Sequence, residues 1–233
     1  MNTSISVHQL LLFQQLSALR FNDRREAVKK HYRGRTRHVM DQQKNRHPID
    51  AIVLHSMSFD RGSSITAYDG VNAHFAVLRS GDVLYLHDIE EYLYASHDFN
   101  PRGIAIEFAG NPPGTDGKAY KAEKFGMHIP TLSQLESGRR LVRLLAQGRG
   151  IHYIYGHRQS CSKICPGPHI WYNIGRWAVQ TLGLSSGGAG YSTSNQYCGG
   201  KAIPAAWNDP QFDLYAITNA SLDAALHSRY PLP

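Results

Sequence analysis

Cysteine is scarce in this chain, charge is sparse, and no apolar run is long enough to cross a bilayer. Three cysteines in 233 residues (Cys161, Cys165 and Cys198) cannot build a disulfide scaffold. Charged residues make up only 18% against 42% hydrophobic ones, which excludes a disordered polyelectrolyte and fits one sizeable core. The apolar cluster Leu10–Phe13 has no Lys or Arg before it, and Gln14 and Gln15 follow directly. It is expected to be neither a secretory signal nor a membrane span. Internal repeats and nucleic-acid recognition motifs are also missing, so no specific nucleic-acid partner is expected.

What charge there is gathers in one place. The formal net charge is +7, and residues 22–47 carry nine basic residues against three acidic ones, a surplus of six. Such a stretch attracts anionic polymers or serves as a solvated helix face, and both readings stand.

The residues richest in chemistry run from Tyr155 to Gly167. His157, Lys163 and Cys165 fall within nine positions, and His55 closes the apolar run Ile52-Val53-Leu54 upstream. Neutral imidazole and thiolate are preferred zinc ligands, and three protein ligands leave a fourth position for water or substrate. A structural Cys2His2 site on one helix face, from His157, Cys161, Cys165 and His169, competes with this reading. Pro166 and Pro168 would interrupt that helix, and His55 and Lys163 would be left without roles. Cys161 and Cys198 then remain, as a pair or as two thiols.

The elements follow from periodicity and breakers. Helical spacing of Leu10, Phe13, Leu16 and Leu19 predicts a helix, with a second one through Arg24–Lys30 that stops near Gly34. His47-Pro48 marks a boundary. Strands are expected at Ile49–His55, His74–Arg79, Val83–Leu86, Gly103–Ala109 and Ile151–Tyr155, with a turn at Ser80-Gly81-Asp82. Helices are expected from Thr131 or Ser133 to Gly148 or Gly150, and over Pro168–Leu182. Residues 183–200 read as a Gly/Ser-rich loop. Beyond them, Trp207, Phe212, Tyr215 and a short helix near Leu222–Leu226 are expected to pack back on the domain. This alternation predicts an α/β fold, a single domain with a central mixed sheet flanked by helices. The expected organisation is a basic helical extension (1–46), a catalytic domain (47–183) and a C-terminal segment (184–233).

His55, His157 and Cys165, with Lys163 two residues before the cysteine, resemble the zinc site of the type 2 N-acetylmuramoyl-L-alanine amidases. That superfamily includes phage lysozyme-type amidases, peptidoglycan recognition proteins and recycling amidases. The resemblance covers roughly residues 47–183. It implies a zinc hydrolase that cleaves the amide between N-acetylmuramic acid and L-alanine, with peptidoglycan or muropeptides as partners. Lys163 matches the family lysine that stabilises the oxyanion. The lysozyme-type tyrosine before the position of His74 is absent, since Ala73 stands there. Glu107 in Ile104-Ala105-Ile106-Glu107-Phe108 matches the glutamate of the recycling branch, and a carboxylate among apolar neighbours is costly to bury unless it works or is paired. Glu107 is thus the expected general base. His97, Asn100, Arg102 and His74 are expected on the substrate side.

Three roles follow from the resemblance: a lytic enzyme (endolysin or antibacterial effector), a muropeptide-binding module without catalysis, and a cytosolic recycling amidase. The basic stretch favours the intact wall as substrate, through contact with an anionic wall polymer. A lytic enzyme without a signal peptide would reach the wall by lysis, a holin-like pore or a secretion system. An effector would carry an immunity protein as a further partner.

Overall fold

The computed structural model of the chain describes residues 19–31, 39–40, 48–161, 163–194 and 196–217. Two apolar runs form its centre. Ala51–Ser56 (β3) and Gly103–Phe108 (β7) lie parallel and in register, pairing Ala51 with Gly103 through to Ser56 with Phe108. Nearly continuous apolar sequence is what a strand buried on both faces requires. Phe75–Val77 (β4) joins the far side of β7, and Tyr153–Gly156 (β8) the far side of β3, both parallel. Val83–Tyr85 (β5) returns antiparallel to β4 through the turn containing Gly81, whose φ of +88° favours glycine. The last strand of the sheet is Phe21–Asp23 (β1), parallel to β5. The order is β1-β5-β4-β7-β3-β8, a mixed six-stranded sheet. Val39–Met40 (β2) and Tyr92–Leu93 (β6) form a separate antiparallel pair.

Alternation along the strands sorts side chains between two faces. Ile52, Leu54, Ile104, Ile106 and Phe108 meet the helix Leu132–Arg149 (α3) through Leu135, Leu141, Val142 and Leu145. Against the same face runs a continuous helical segment: Pro168–Ile170 (α4), a π-helical stretch Trp171–Arg176, and Trp177–Leu182 (α5). Thr131 caps α3 by accepting the Gln134 N–H at 3.1 Å, and Gly150 ends it in left-handed backbone. Gln134 is fully buried, and its amide donates to Val77 O (2.9 Å) and Ala109 O (2.8 Å), fixing α3 across the ends of β4 and β7.

The opposite face is covered by turns, loops and the helix Arg25–His31 (α1), whose Val28 packs with Tyr68, Leu84 and Leu86. A short helix, Ala122–Phe125 (α2), sits in the loop between β7 and α3.

The segment before Pro48 thus differs from an all-helical extension: the second expected helix forms as α1, but Phe21–Asp23 is a strand. The edge of β5 offers a row of backbone groups for a strand to pair with, and three residues suffice. Helix 10–19 lies almost wholly outside the described residues, as do most of the basic positions and the short helix near 222–226. Of the C-terminal segment, Ser185 bridges to Tyr153, while Trp207 and Phe212 are buried. Asn173 anchors that end by donating to Phe212 O at 2.7 Å. Cys161 and Cys198 are disulfide-bonded, which sequence left open.

Candidate metal centre and active site

Parallel strands end on the same edge, and in open α/β sheets that carboxyl edge is where ligands bind. His55 and Glu107 are register partners at the ends of β3 and β7. His157 follows Gly156, the partner of Leu54, at the end of β8. All three sit on the loop-covered face by strand alternation. Cys165 arrives from the following loop through a cis peptide bond to Pro166. Gly156 permits this approach, because a Cβ there would lie 2.9 Å from Pro166 Cδ. Arg158 holds the loop: its N–H donates to Cys165 O and its guanidinium to Lys163 O, both at 2.9 Å.

The ligand atoms of His55, His157 and Cys165 all lie within 4.8 Å of one another, and the two imidazole rings are 4.4 Å apart. His55 Nε2 and Ser96 Oγ share a hydrogen bond of 2.9 Å, which orients the ring with Nδ1 towards Glu107 Oε1, 3.9 Å away. Cys165 Sγ accepts the Ser56 N–H at 3.1 Å.

Burial sets the charge state of the pocket. Burial, reinforced by His157 and Lys163, holds His55 well below the usual imidazole range, and burial with Lys163 takes His157 to about 3. Both rings are therefore neutral at physiological pH and have lone pairs to donate. Burial and the nearby Glu107 push the Cys165 thiol up to about 12. Burial pushes Glu107 up to about 8, against the pull of Lys163. Among the described residues, His157 Nε2 and Glu107 Oε2 are buried without a hydrogen-bond partner. Two neutral imidazoles, a thiol and orphaned polar atoms converging on one point fit a zinc ion.

Two clefts meet here. One, of about 500 Å³, is walled by Ser58, Asn111, Pro112, Lys118, Tyr120 and Ile164. The other, of about 350 Å³, is walled by Phe59, Arg61, Val71, Asn72 and Tyr94. They share Met57, Glu107, His157 and Lys163, so both clefts border the cluster.

Of the other residues expected at the site, His97 stays beside it and the rest lie further off. His97 stacks on His157 with ring centres 5.4 Å apart. His74 is buried in the sheet, its Nδ1 accepting the Ala105 N–H and its Nε2 facing Glu91 O, each at 2.9 Å. Asn100 Oδ1 accepts the N–H groups of Ala95 and Ser96, so it acts on the site through Ser96. Arg102 lies at the other end of β7, in a two-pronged ion pair with Asp50 and over the Tyr153 ring. Neither Asn100 nor Arg102 lines the clefts. Sequence reasoning missed Ser96, whose contact with His55, 41 residues earlier, follows no spacing rule. It also missed Arg61, Tyr94, Lys118 and Tyr120, which loops alone bring to the clefts.

No curated protein sequence matches the chain. Among solved structures, it is similar to the endolysin amidase LysCS from Clostridium intestinale (18% identity, 59% of this chain and 85% of that one, TM-score 0.45). It is also similar to Drosophila PGRP-LB (12% identity, 71% and 95% covered, TM-score 0.49). A third similar structure is a peptidoglycan recognition protein complex, LCa with LCx, bound to tracheal cytotoxin (19% identity, 71% and 98% covered, TM-score 0.47). The family model of N-acetylmuramoyl-L-alanine amidases matches residues 45–168, just over half of the 233 and a span that holds every residue of the cluster. The chain belongs to the N-acetylmuramoyl-L-alanine amidase family.

Proposed function

We propose that this chain is a zinc-dependent amidase that cleaves the bond between the lactyl group of N-acetylmuramic acid and L-alanine in intact peptidoglycan. On this reading it acts lytically, after leaving its producing cell by lysis, a holin-like pore or a secretion system. The observation that carries the proposal is the meeting of His55, His157, Cys165, Glu107 and Lys163 where two clefts join. Two clefts bordering the reactive cluster suit a substrate with sugar on one side of the amide and peptide on the other.

His55, His157 and Cys165 would hold the metal, Ser96 keeping the His55 ring in orientation. When bound, zinc supplies Lewis acidity and a water acidified towards neutrality. Glu107 receives the proton released as water attacks the carbonyl, and returns it to the leaving amine. It must be ionised to begin, and the nearby Lys163 ammonium favours its charged form. Lys163 also offers its charge to the oxyanion as the carbonyl becomes tetrahedral. The joint presence of Cys165, Lys163 and Glu107 favours catalysis over simple muropeptide binding.

The test combines metal content with muropeptide release from purified sacculi, for wild type, Glu107→Ala and Cys165→Ser. With the Cys161–Cys198 bond intact, the expected result is one zinc per chain and stem peptides beginning at L-alanine. Release is lost in both variants, with metal kept, in that oxidised state, only in Glu107→Ala. Tight sacculus binding without release would replace the enzyme by a recognition module.

A further inference from the structure

Beside the first cluster stands a second one, built from other side chains. Cys161 is buried four residues after His157, and its N–H donates to His157 O at 3.0 Å. Its disulfide partner Cys198 comes from the C-terminal loop. His97 Nε2 lies 3.7 Å from Cys198 Sγ, and the ligand atoms of His97, Cys161 and Cys198 are all within 4.8 Å of one another. His97 holds this place with φ at +52°, a left-handed backbone that a non-glycine residue rarely adopts. None of the three lines the clefts.

We propose that, when the Cys161–Cys198 bond is reduced, His97, Cys161 and Cys198 form a second zinc site. It is separate from the one at His55, His157 and Cys165, and the inference does not depend on the proposed amidase activity. Bonds of about 2.05 Å to nitrogen and about 2.3 Å to sulfur put two such atoms roughly 3.6 Å apart on one tetrahedral ion. The His97–Cys198 separation already matches that spacing. Backbone contacts hold the loop beside the turn without the disulfide. Thr193 N–H donates to Gln159 O (2.8 Å), Gly200 N–H to Thr193 O (2.8 Å) and Lys201 N–H to Arg158 O (2.9 Å). The two sulfurs therefore stay neighbours after the bond opens. Charge is also accommodated: two thiolates neutralise a divalent ion, so the second site adds no net charge beside the first.

The redox step balances. A dithiol reductant supplies two electrons, the S–S bond breaks, and the reductant closes its own disulfide. The two protons it delivers to the cysteines leave for solvent when the thiolates bind metal. The loop is thus anchored by metal in a reducing compartment and by a covalent bond in an oxidising one.

The experiment counts zinc on the full chain, reduced with a phosphine or oxidised with a diazene. Two equivalents reduced and one oxidised are expected. Cys165→Ser should retain the redox-dependent equivalent, and Cys198→Ser should bind it at least tenfold more weakly. Cobalt provides a readout in the unaltered protein. Thiolate-to-cobalt absorption should rise about threefold on reduction, as the count of bound thiolates goes from one to three. Equal stoichiometry in both redox states, or cobalt absorption indifferent to reduction, overturns the proposal. So does a second equivalent bound with unchanged affinity by both Cys198→Ser and His97→Ala.

Discussion

Replacing Glu107 by glutamine should stabilise the metal-free protein at alkaline pH while abolishing most of its activity. Burial raises this carboxyl from the ordinary 4.5 to about 8, and Oε2 has no partner. Below pH 4.5 the carboxyl is protonated in both folded and unfolded chains, so the stability of the fold is intact there. As pH rises to about 8 the unfolded chain loses the proton and the folded one keeps it, so stability falls. At about 1.4 kcal/mol for each pH interval, the loss is roughly 3 kcal/mol at pH 7 and 3–5 kcal/mol at pH 8. Glutamine has nearly the shape of the protonated acid and cannot ionise, so the variant escapes this loss. For a chain of this size the gain corresponds to a melting temperature higher by about 10 °C at pH 8. The assay is thermal unfolding of both proteins after chelation, from pH 4.5 to 8.5. The curves should coincide at the acid end and separate steadily. Zinc should narrow the gap, because a cation stabilises the ionised carboxylate of the wild type. Activity of Glu107→Gln with zinc should fall by about 10²–10⁴, the usual contribution of a general base. A gap that does not vary with pH, or a variant less stable at pH 8, would refute the reasoning.

Three further outcomes are expected. With the Cys165 thiol at about 12 and Glu107 at about 8, metal uptake near pH 7.5 must release about one to two protons. Calorimetry in buffers of different ionisation heat reads that number, and a value of zero would contradict the thiol's role as ligand. Gln134→Leu leaves Val77 O and Ala109 O without their buried donor and should cost about 2–4 kcal/mol in denaturant unfolding. The basic stretch is best tested by neutralising Arg33, Arg35 and Arg37, since Arg24 and Arg25 are already paired with Asp69, Asp23 and Asp88. Sacculus binding should weaken at low salt and converge with wild type at high salt. Unchanged binding at low salt would remove the wall-polymer contact from the proposal.

Whatever depends on neighbours along the chain was legible in the sequence. Ile52–His55 and Ile104–Phe108 announced buried strands, and a histidine and a glutamate closing such runs stood out because burial there is expensive. Thr131 and Gly150 bounded α3 by local capping chemistry. What depends on partners distant in sequence was not legible. Phe21–Asp23 carries no strand signal of its own and forms β1 only because β5 has an open edge. Arg102 was expected on the substrate side, but it stands just before β7 and pairs with Asp50 at the end of the strands away from the cluster. The Cys161–Cys198 bond spans 37 residues through a loop whose composition gave no sign of where it would fold.

The attachment of β1 decides how this fold can be transplanted. The matched family segment, 45–168, contains His55, Glu107, His157, Lys163 and Cys165, yet it omits the strand that closes one sheet edge and the Ser185 bridge beside β8 at the other. It also stops at the first residue of the long helical segment that covers Ile52 and Ile106. A fusion cut at those limits would expose the hydrogen-bonding edge of β5 and an apolar sheet face together, the combination that drives strands of separate molecules to pair. Any cassette that grafts this segment onto another protein therefore has to keep β1, the helical segment through Leu182 and the Ser185 bridge, which the fold needs as much as it needs the central strands.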